Sequence, residues 1–129
     1  MSASPIEIAH TFFGHWSANR IDEALAMLSD DVLYDNVPFP DILGREGVRK
    51  FHADFGIGKT FKVDWKVTQI AASGKLVLNE RIDVFTHENG GTISLPVMGT
   101  LTVEGGQITV WRDYFDPTDF DRQLQQIRR

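Results

Sequence analysis

The sequence predicts an α+β fold in which N-terminal helices pack against a curved antiparallel sheet. Three features carry that expectation. Apolar residues recur at helical spacing near the start of the chain, at Ile8, Ala9, Phe12, Phe13 and Trp16. From Phe61 the period falls to two, with Phe61, Val63, Trp65 and Val67 alternating against Lys62, Asp64, Lys66 and Thr68. Turn signals then punctuate the extended runs at Ser73-Gly74-Lys75, Asn89-Gly90-Gly91 and Gly105-Gly106. Helices first and strands afterwards is the order of an α+β domain.

The first helix opens with agreeing signals: Ser4 at N-cap, Pro5 at N1 and Glu7 at N3. Asn19 and Arg20 break it. A second helix runs from about Ile21 with Ala24, Leu25 and Leu28 as its apolar stripe, and Ser29-Asp30-Asp31 ends it. Val32-Leu33-Tyr34 begins an extended segment that Pro38 and Pro40 keep out of the sheet centre. Gly44 opens a third, short helix with Val48, Phe51 and Phe55 facing inward. Four strands follow: Phe61 to the Ser73 turn, Leu76 to Thr86, Thr92 to Val103, and Ile108 to Phe115. Three helices and a four-stranded meander complete the reading.

The 129 residues fit one domain, taken as residues 1–129, large enough for a core and an internal cavity. With 42% apolar and 24% charged residues, neither disorder nor a membrane span is expected. Thirteen basic against 18 acidic residues give a net charge of −5, which argues against a nucleic-acid surface. The one basic cluster, Arg128-Arg129, reads as a solvated tail. The absence of cysteine excludes disulfides, thiolate nucleophiles and Cys-ligated zinc. His10, His15, His52 and His87 lack metal-ligand spacing, and no glycine-rich phosphate loop occurs. With no signal-peptide pattern visible, a cytoplasmic enzyme working without metal or cofactor is expected.

The chemistry concentrates in two strings, Arg81-Ile82-Asp83 and Trp111-Arg112-Asp113. Strand alternation puts Asn79, Arg81, Asp83 and Phe85 on one face, and Thr109, Trp111, Asp113 and Phe115 on one face of the last strand. Leu78, Ile82 and Val84 opposite make the Arg81 strand one buried on both sides. If the two strands lie close, two carboxylates surround one guanidinium among aromatic residues. Burying such groups is costly unless they are paired, and paired carboxyls in different environments suit acid and base chemistry. The bland reading is a structural ion pair at a sheet edge or subunit contact. Tyr34 and Asn36, two apart, can face the same way and hold a water beside a carboxylate. His52, next to Phe51, at most lines a pocket.

Three runs together are more specific than any single motif. Tyr34-Asp35-Asn36-Val37-Pro38-Phe39-Pro40, Glu80-Arg81-Ile82-Asp83-Val84 and Gly106 through Asp116 resemble the limonene-1,2-epoxide hydrolases, over nearly the whole chain and in order. The resemblance implies a cone-shaped fold like that of nuclear transport factor 2 and ketosteroid isomerase, with an internal apolar pocket, in a homodimer. It implies Asp113 as general base, Tyr34 and Asn36 as holders of the attacking water, Asp83 as general acid and Arg81 as the bridge between the carboxyls. Phe39, Phe85, Leu95, Val97, Trp111, Phe115 and Phe120 would line the pocket. The segment before the first helix is shorter than the resemblance leads one to expect. The implied reaction is hydrolysis of a small or cyclic hydrophobic epoxide to a vicinal diol, with water as co-substrate. Competing readings are an isomerase, dehydratase or cyclase on the same fold, and a noncatalytic apolar-ligand module. Neither uses two carboxyls around one arginine.

Overall fold

Ser4 closes the start of the first helix from both directions. In the computed structural model, which describes residues 3–127 and so leaves the Arg128-Arg129 tail outside, Ser4 Oγ accepts from the Glu7 N–H while Glu7 Oε1 accepts from the Ser4 N–H. Helix α1 (Pro5–Ser17) buries Ile8, Ala9, Phe12, Phe13 and Trp16, the stripe its spacing predicted. Helix α2 is short (Ile21–Ala26) and ends before the residues expected to close it. Leu28 is not part of its stripe but the first residue of strand β1 (Leu28–Val37), and Ser29-Asp30-Asp31 lies within that strand. Long-range pairing overrides the local pattern: Leu28 pairs with Ile108, whose N–H donates to Met27 O at 2.9 Å.

β1 also corrects the expectation about the prolines. It lies between β2 (Ile42–Leu43) and β6 (Gln107–Tyr114) rather than at the edge. Pro38 and Pro40 fall beyond its last residue, Val37, so no ladder bond is lost to them. The meander is antiparallel as expected, through β3 (Phe61–Ser73), β4 (Leu76–His87), β5 (Thr92–Glu104) and β6. β1, however, joins β6 in parallel, giving the order β2-β1-β6-β5-β4-β3. The long connection between them makes a parallel pair possible. Register shifts between Val67 and Gln69 and between Thr102 and Val103 mark where an open sheet bends.

Helix α3 (Arg45–Phe55) turns Val48 and His52 inward, while Phe51, expected inside, is 42% exposed. The concave face of the sheet holds the core, with α1 against β3, β4 and β5. The other face of β4 is not buried as expected: Leu78 is 40% exposed, and Ile82 and Val84 are half-buried. A fourth helix, α4 (Pro117–Ile127), escaped the sequence reading. Its signal is nonetheless present, because Asp116 Oδ1 accepts from the N–H groups of Thr118 and Asp119 and Pro117 follows as first helical residue. α4 clips onto β5 through Gln123, which bonds both the N–H and the C=O of Ser94. No helix among the described residues is long and apolar enough to cross a membrane.

Candidate active site

Arg81 sits at the centre of the concave face with every N–H engaged. Nε donates to Asp83 Oδ1 at 3.0 Å, and Nη2 donates to Asp83 Oδ2 at 3.0 Å and to Asp113 Oδ2 at 2.9 Å. Nη1 donates to Asp113 Oδ1 at 3.1 Å and to Asn79 Oδ1 at 2.6 Å. A guanidinium offers five donors in a fixed fork, and each here finds its own acceptor. Phe13 of α1 covers it, with the ring centroid 4.4 Å from Cζ. Arg81 is fully buried, and Asp83 and Asp113 are each 5% exposed.

Two members of this network lie outside the sequence reading. Asn79 falls on the face predicted for it, but nothing local assigns it a part; its Nδ2 donates to Gly99 O at 3.2 Å while its Oδ1 takes the Arg81 proton. Gly99 lies opposite both Asn79 and Asp113 in register. A Cβ there would collide with Asp113 Oδ1 and stand 2.8 Å from Arg112 O and 3.2 Å from Arg81 Nη1. A glycine inside an otherwise regular strand was the available signal of a close approach.

The neighbouring strand brings the remaining polar groups. Parallel pairing sets Tyr34 beside Trp111 and Asn36 beside Asp113. Tyr34 packs on Trp111 with ring centroids 4.3 Å apart. Trp111 Nε1 donates to Asp113 Oδ2 at 3.2 Å. Trp111 therefore corrects one expectation: fully buried, it stands behind the cavity as a support and is not part of its wall.

The cavity has a volume of about 540 Å³. Of the expected wall residues, Phe39, Phe85, Leu95, Val97, Phe115 and Phe120 are present, joined by Phe51, Phe55, Trp65 and Leu124. Its polar groups are Tyr34, Asn36, His52, Asp83 and Asp113. His52 is more than a marginal lining residue. Its Nδ1 lies 2.8 Å from Val48 O, a bond that places the proton on Nδ1, and the ring stacks on Trp111 at 5.6 Å and 7°.

Burial and neighbouring charge set the protonation of these groups together. Burial pushes the Asp83 carboxyl up from its ordinary value against the pull of Arg81, and the nearby Asp113 charge pushes the same way. For Arg81, burial disfavours the charge, but Asp113 and Asp83 outweigh it and hold the proton more firmly than on an ordinary arginine. Burial, then the Asp113 charge, drive Tyr34 well above the usual phenol value, so it stays protonated. Burial depresses His52 to about 4, leaving a neutral imidazole at neutral pH. The result is an apolar cavity with an arginine-bridged carboxyl pair at one wall and a phenol and an amide beside one member of that pair. Such a site can take a proton from one bound atom and deliver one to another. No cluster of three or more metal-ligating side chains occurs among the described residues.

The chain is similar to known proteins along its length. Residues 3–127 match the family model described as the limonene-1,2-epoxide hydrolase catalytic domain. Epoxide hydrolase EphG of Mycobacterium tuberculosis is 36% identical over 107 residues, covering 80% of this chain and 67% of that protein. A solved structure of an M. tuberculosis LEH-like epoxide hydrolase superposes with a TM-score of 0.81 at 30% identity, covering 95% of this chain and 90% of the other. A hypothetical protein of ketosteroid isomerase-like fold from Catenulispora acidiphila superposes with a TM-score of 0.76 at 18% identity, covering 91% of each chain. This last likeness concerns the fold alone.

Proposed function

The chain belongs to the limonene-1,2-epoxide hydrolase family, and from that premise we propose that it adds water to a small or cyclic apolar epoxide in one step, giving a vicinal diol. Tyr34 and Asn36 hold the water, and Asp113 takes its proton as the water oxygen bonds to an epoxide carbon. The carbon–oxygen bond of the ring breaks, and Asp83 delivers its proton to the departing oxygen. Arg81 stays protonated throughout and stabilises the negative charge on Asp113 before the step and on Asp83 after it. Transfer of a proton from Asp113 back to Asp83 restores the starting state. Each positioned acid or base supplies roughly 10²–10⁴-fold, and fixing the water beside its target adds an entropic gain.

The observation that carries this reading is the asymmetry around Arg81. With both carboxylates ionised the cluster would hold a net negative charge inside an apolar cavity; with one proton retained it is neutral. Asp113 accepts a further bond from Trp111 Nε1 and stands beside Asn36, which supports it as the base next to the water. Burial raises the Asp83 carboxyl, in keeping with a role as the acid. A covalent ester intermediate is not needed, because the water has its own base.

The test is turnover of limonene oxide and cyclohexene oxide, with and without a chelator, followed by a single turnover in ¹⁸O-water. Diol carrying the label, with none in the protein, is the expected result. Absence of turnover with any apolar epoxide defeats the reading. Label in the Asp113 or Asp83 carboxylate defeats the one-step mechanism. Rearranged product without incorporated label favours an isomerase on the same fold.

A further inference from the structure

We propose that Asn79 is a positioning residue of this reaction, holding Arg81 through its fifth N–H so that both carboxyls meet the guanidinium in one plane. The inference rests on the hydrolase reading for its kinetic consequences but not for its geometry. Four of the five Arg81 donors serve Asp83 and Asp113, and the remaining Nη1 proton, on a side chain fully shut off from water, needs an acceptor of its own. Asn79 Oδ1 receives it at 2.6 Å, the shortest bond of the network. The amide cannot flip without loss, because its Nδ2 is committed to Gly99 O at 3.2 Å. Gly99 is what leaves the space: it faces Asn79 on one side and Asp113 on the other, and any side chain there would occupy the gap.

The choice of an amide over an acid at this position follows from charge. An aspartate of the same shape would add a third carboxylate to one guanidinium. The charged groups facing position 79 are Arg81 and Asp83 of β4 and Asp113 of β6; its strand neighbours are Gly99 on β5 and Ile70 on β3, and α1 contributes Phe13 above the guanidinium. A neutral acceptor therefore fixes the arginine without competing for its charge.

Two substitutions test this. Asn79→Leu keeps the volume and removes the acceptor. It is expected to lower kcat by roughly 10- to 100-fold with KM within about twofold, since a small misplacement of the acid–base pair affects chemistry more than binding. Asn79→Asp keeps both bonds only while the introduced carboxyl is protonated, its hydroxyl donating to Gly99 O and its carbonyl oxygen accepting from Nη1. Its activity is expected to approach the parent's at acid pH and to fall as that carboxyl ionises, giving a descending limb at lower pH than the parent shows. Unchanged kcat in Asn79→Leu, or a pH profile of Asn79→Asp that overlays the parent's, overturns the proposal. If the leucine variant does not fold, the aspartate profile decides alone.

A readout independent of turnover separates this inference from the function itself. In the parent, blocked rotation about Cζ–Nη1 is expected to give Arg81 separate, slowly exchanging Nη1 proton signals by NMR, and Asn79→Leu is expected to merge them. Identical guanidinium spectra overturn the role of Asn79 even if no epoxide is turned over. Inactive parent protein with the expected spectra instead overturns the hydrolase reading and leaves the positioning of Arg81 standing.

Discussion

Asp83 and Asp113 share an arginine but not an environment. Among the described residues both oxygens of Asp83 take bonds only from Arg81, whereas Asp113 also accepts from the Trp111 indole and stands beside Asn36. Asp83→Asn and Asp113→Asn are each expected to lower kcat by at least about 10²-fold with little loss of melting temperature. The losses are not expected to multiply in the double variant, because the two carboxyls act as one unit. Arg81→Ala is expected to destabilise the fold by about 3–5 kcal/mol, since it strands two buried carboxyls. A purely structural cluster reverses the pattern: both Asn variants melt early while the folded fraction keeps its activity. His52 gives a second residue-scale prediction with a defined sign. Its folded pKa of about 4 lies below the ordinary 6.5, so between those values the unfolded chain binds the extra proton. His52 therefore favours the fold above pH 6.5, and acidification to pH 4 removes about 3 kcal/mol of that contribution. Asp83 works the other way, since its raised value favours the fold at acid pH and the gain fades as pH rises. Urea unfolding of the parent and of His52→Gln at several pH values separates them: the parent should lose stability relative to the variant on going from pH 6.5 to 4. Parallel curves would contradict the assignment.

At the scale of elements, α4 and β5 shape the site without supplying its reacting groups. α4 brings Phe120 and Leu124 to the cavity wall and packs Ile127 against Gly91. Its start depends on Asp116, so Asp116→Ala is expected to cost about 1 kcal/mol, the usual value of an N-cap. Because the acid–base pair lies on β4 and β6, KM should rise more than kcat falls in that variant. An equal fall of kcat with KM unchanged would show that α4 does something other than shape the wall. β5 contributes absence rather than chemistry. Gly99→Ala is expected to force Asp113 or Arg81 from its place, with a loss of both melting temperature and kcat, measured on the same preparation.

For the whole molecule, the two faces of the sheet have separate tasks. The cavity and the Arg81 cluster occupy the concave face, beneath α1 and α3. The outer face exposes Leu78, Met98 and Tyr114, with Met98 and Tyr114 paired across β5 and β6. We expect that face to meet a second copy of the chain in a homodimer, since apolar side chains gathered on a sheet mark an interaction surface. Met98→Glu is expected to shift sedimentation from dimer to monomer. Since the cavity lies on the other side, the monomer should keep measurable turnover. A parent protein that sediments as a monomer would remove the proposal.

Strand periodicity is a local property, and it alone places Arg81 with Asp83, and Trp111 with Asp113 and Phe115, on one face of their strands. The N-cap of α1 and the three turns between strands are equally local and legible for the same reason. The Asp116-Pro117 cap of α4 is a signal of the same local kind that the sequence reading missed. What the sequence alone could not decide is everything that depends on which strands meet. That β1 lies parallel beside β6, with Asn36 against Asp113, is set by long-range burial and by which sheet edge is open. Leu28 belongs to a strand rather than a helix for the same reason. Nothing local distinguishes Asn79 from any polar strand residue or gives Gly99 a part; the register of β4, β5 and β6 puts them around one guanidinium. Period two tells a side chain which face it occupies; only the assembled sheet tells it what stands opposite.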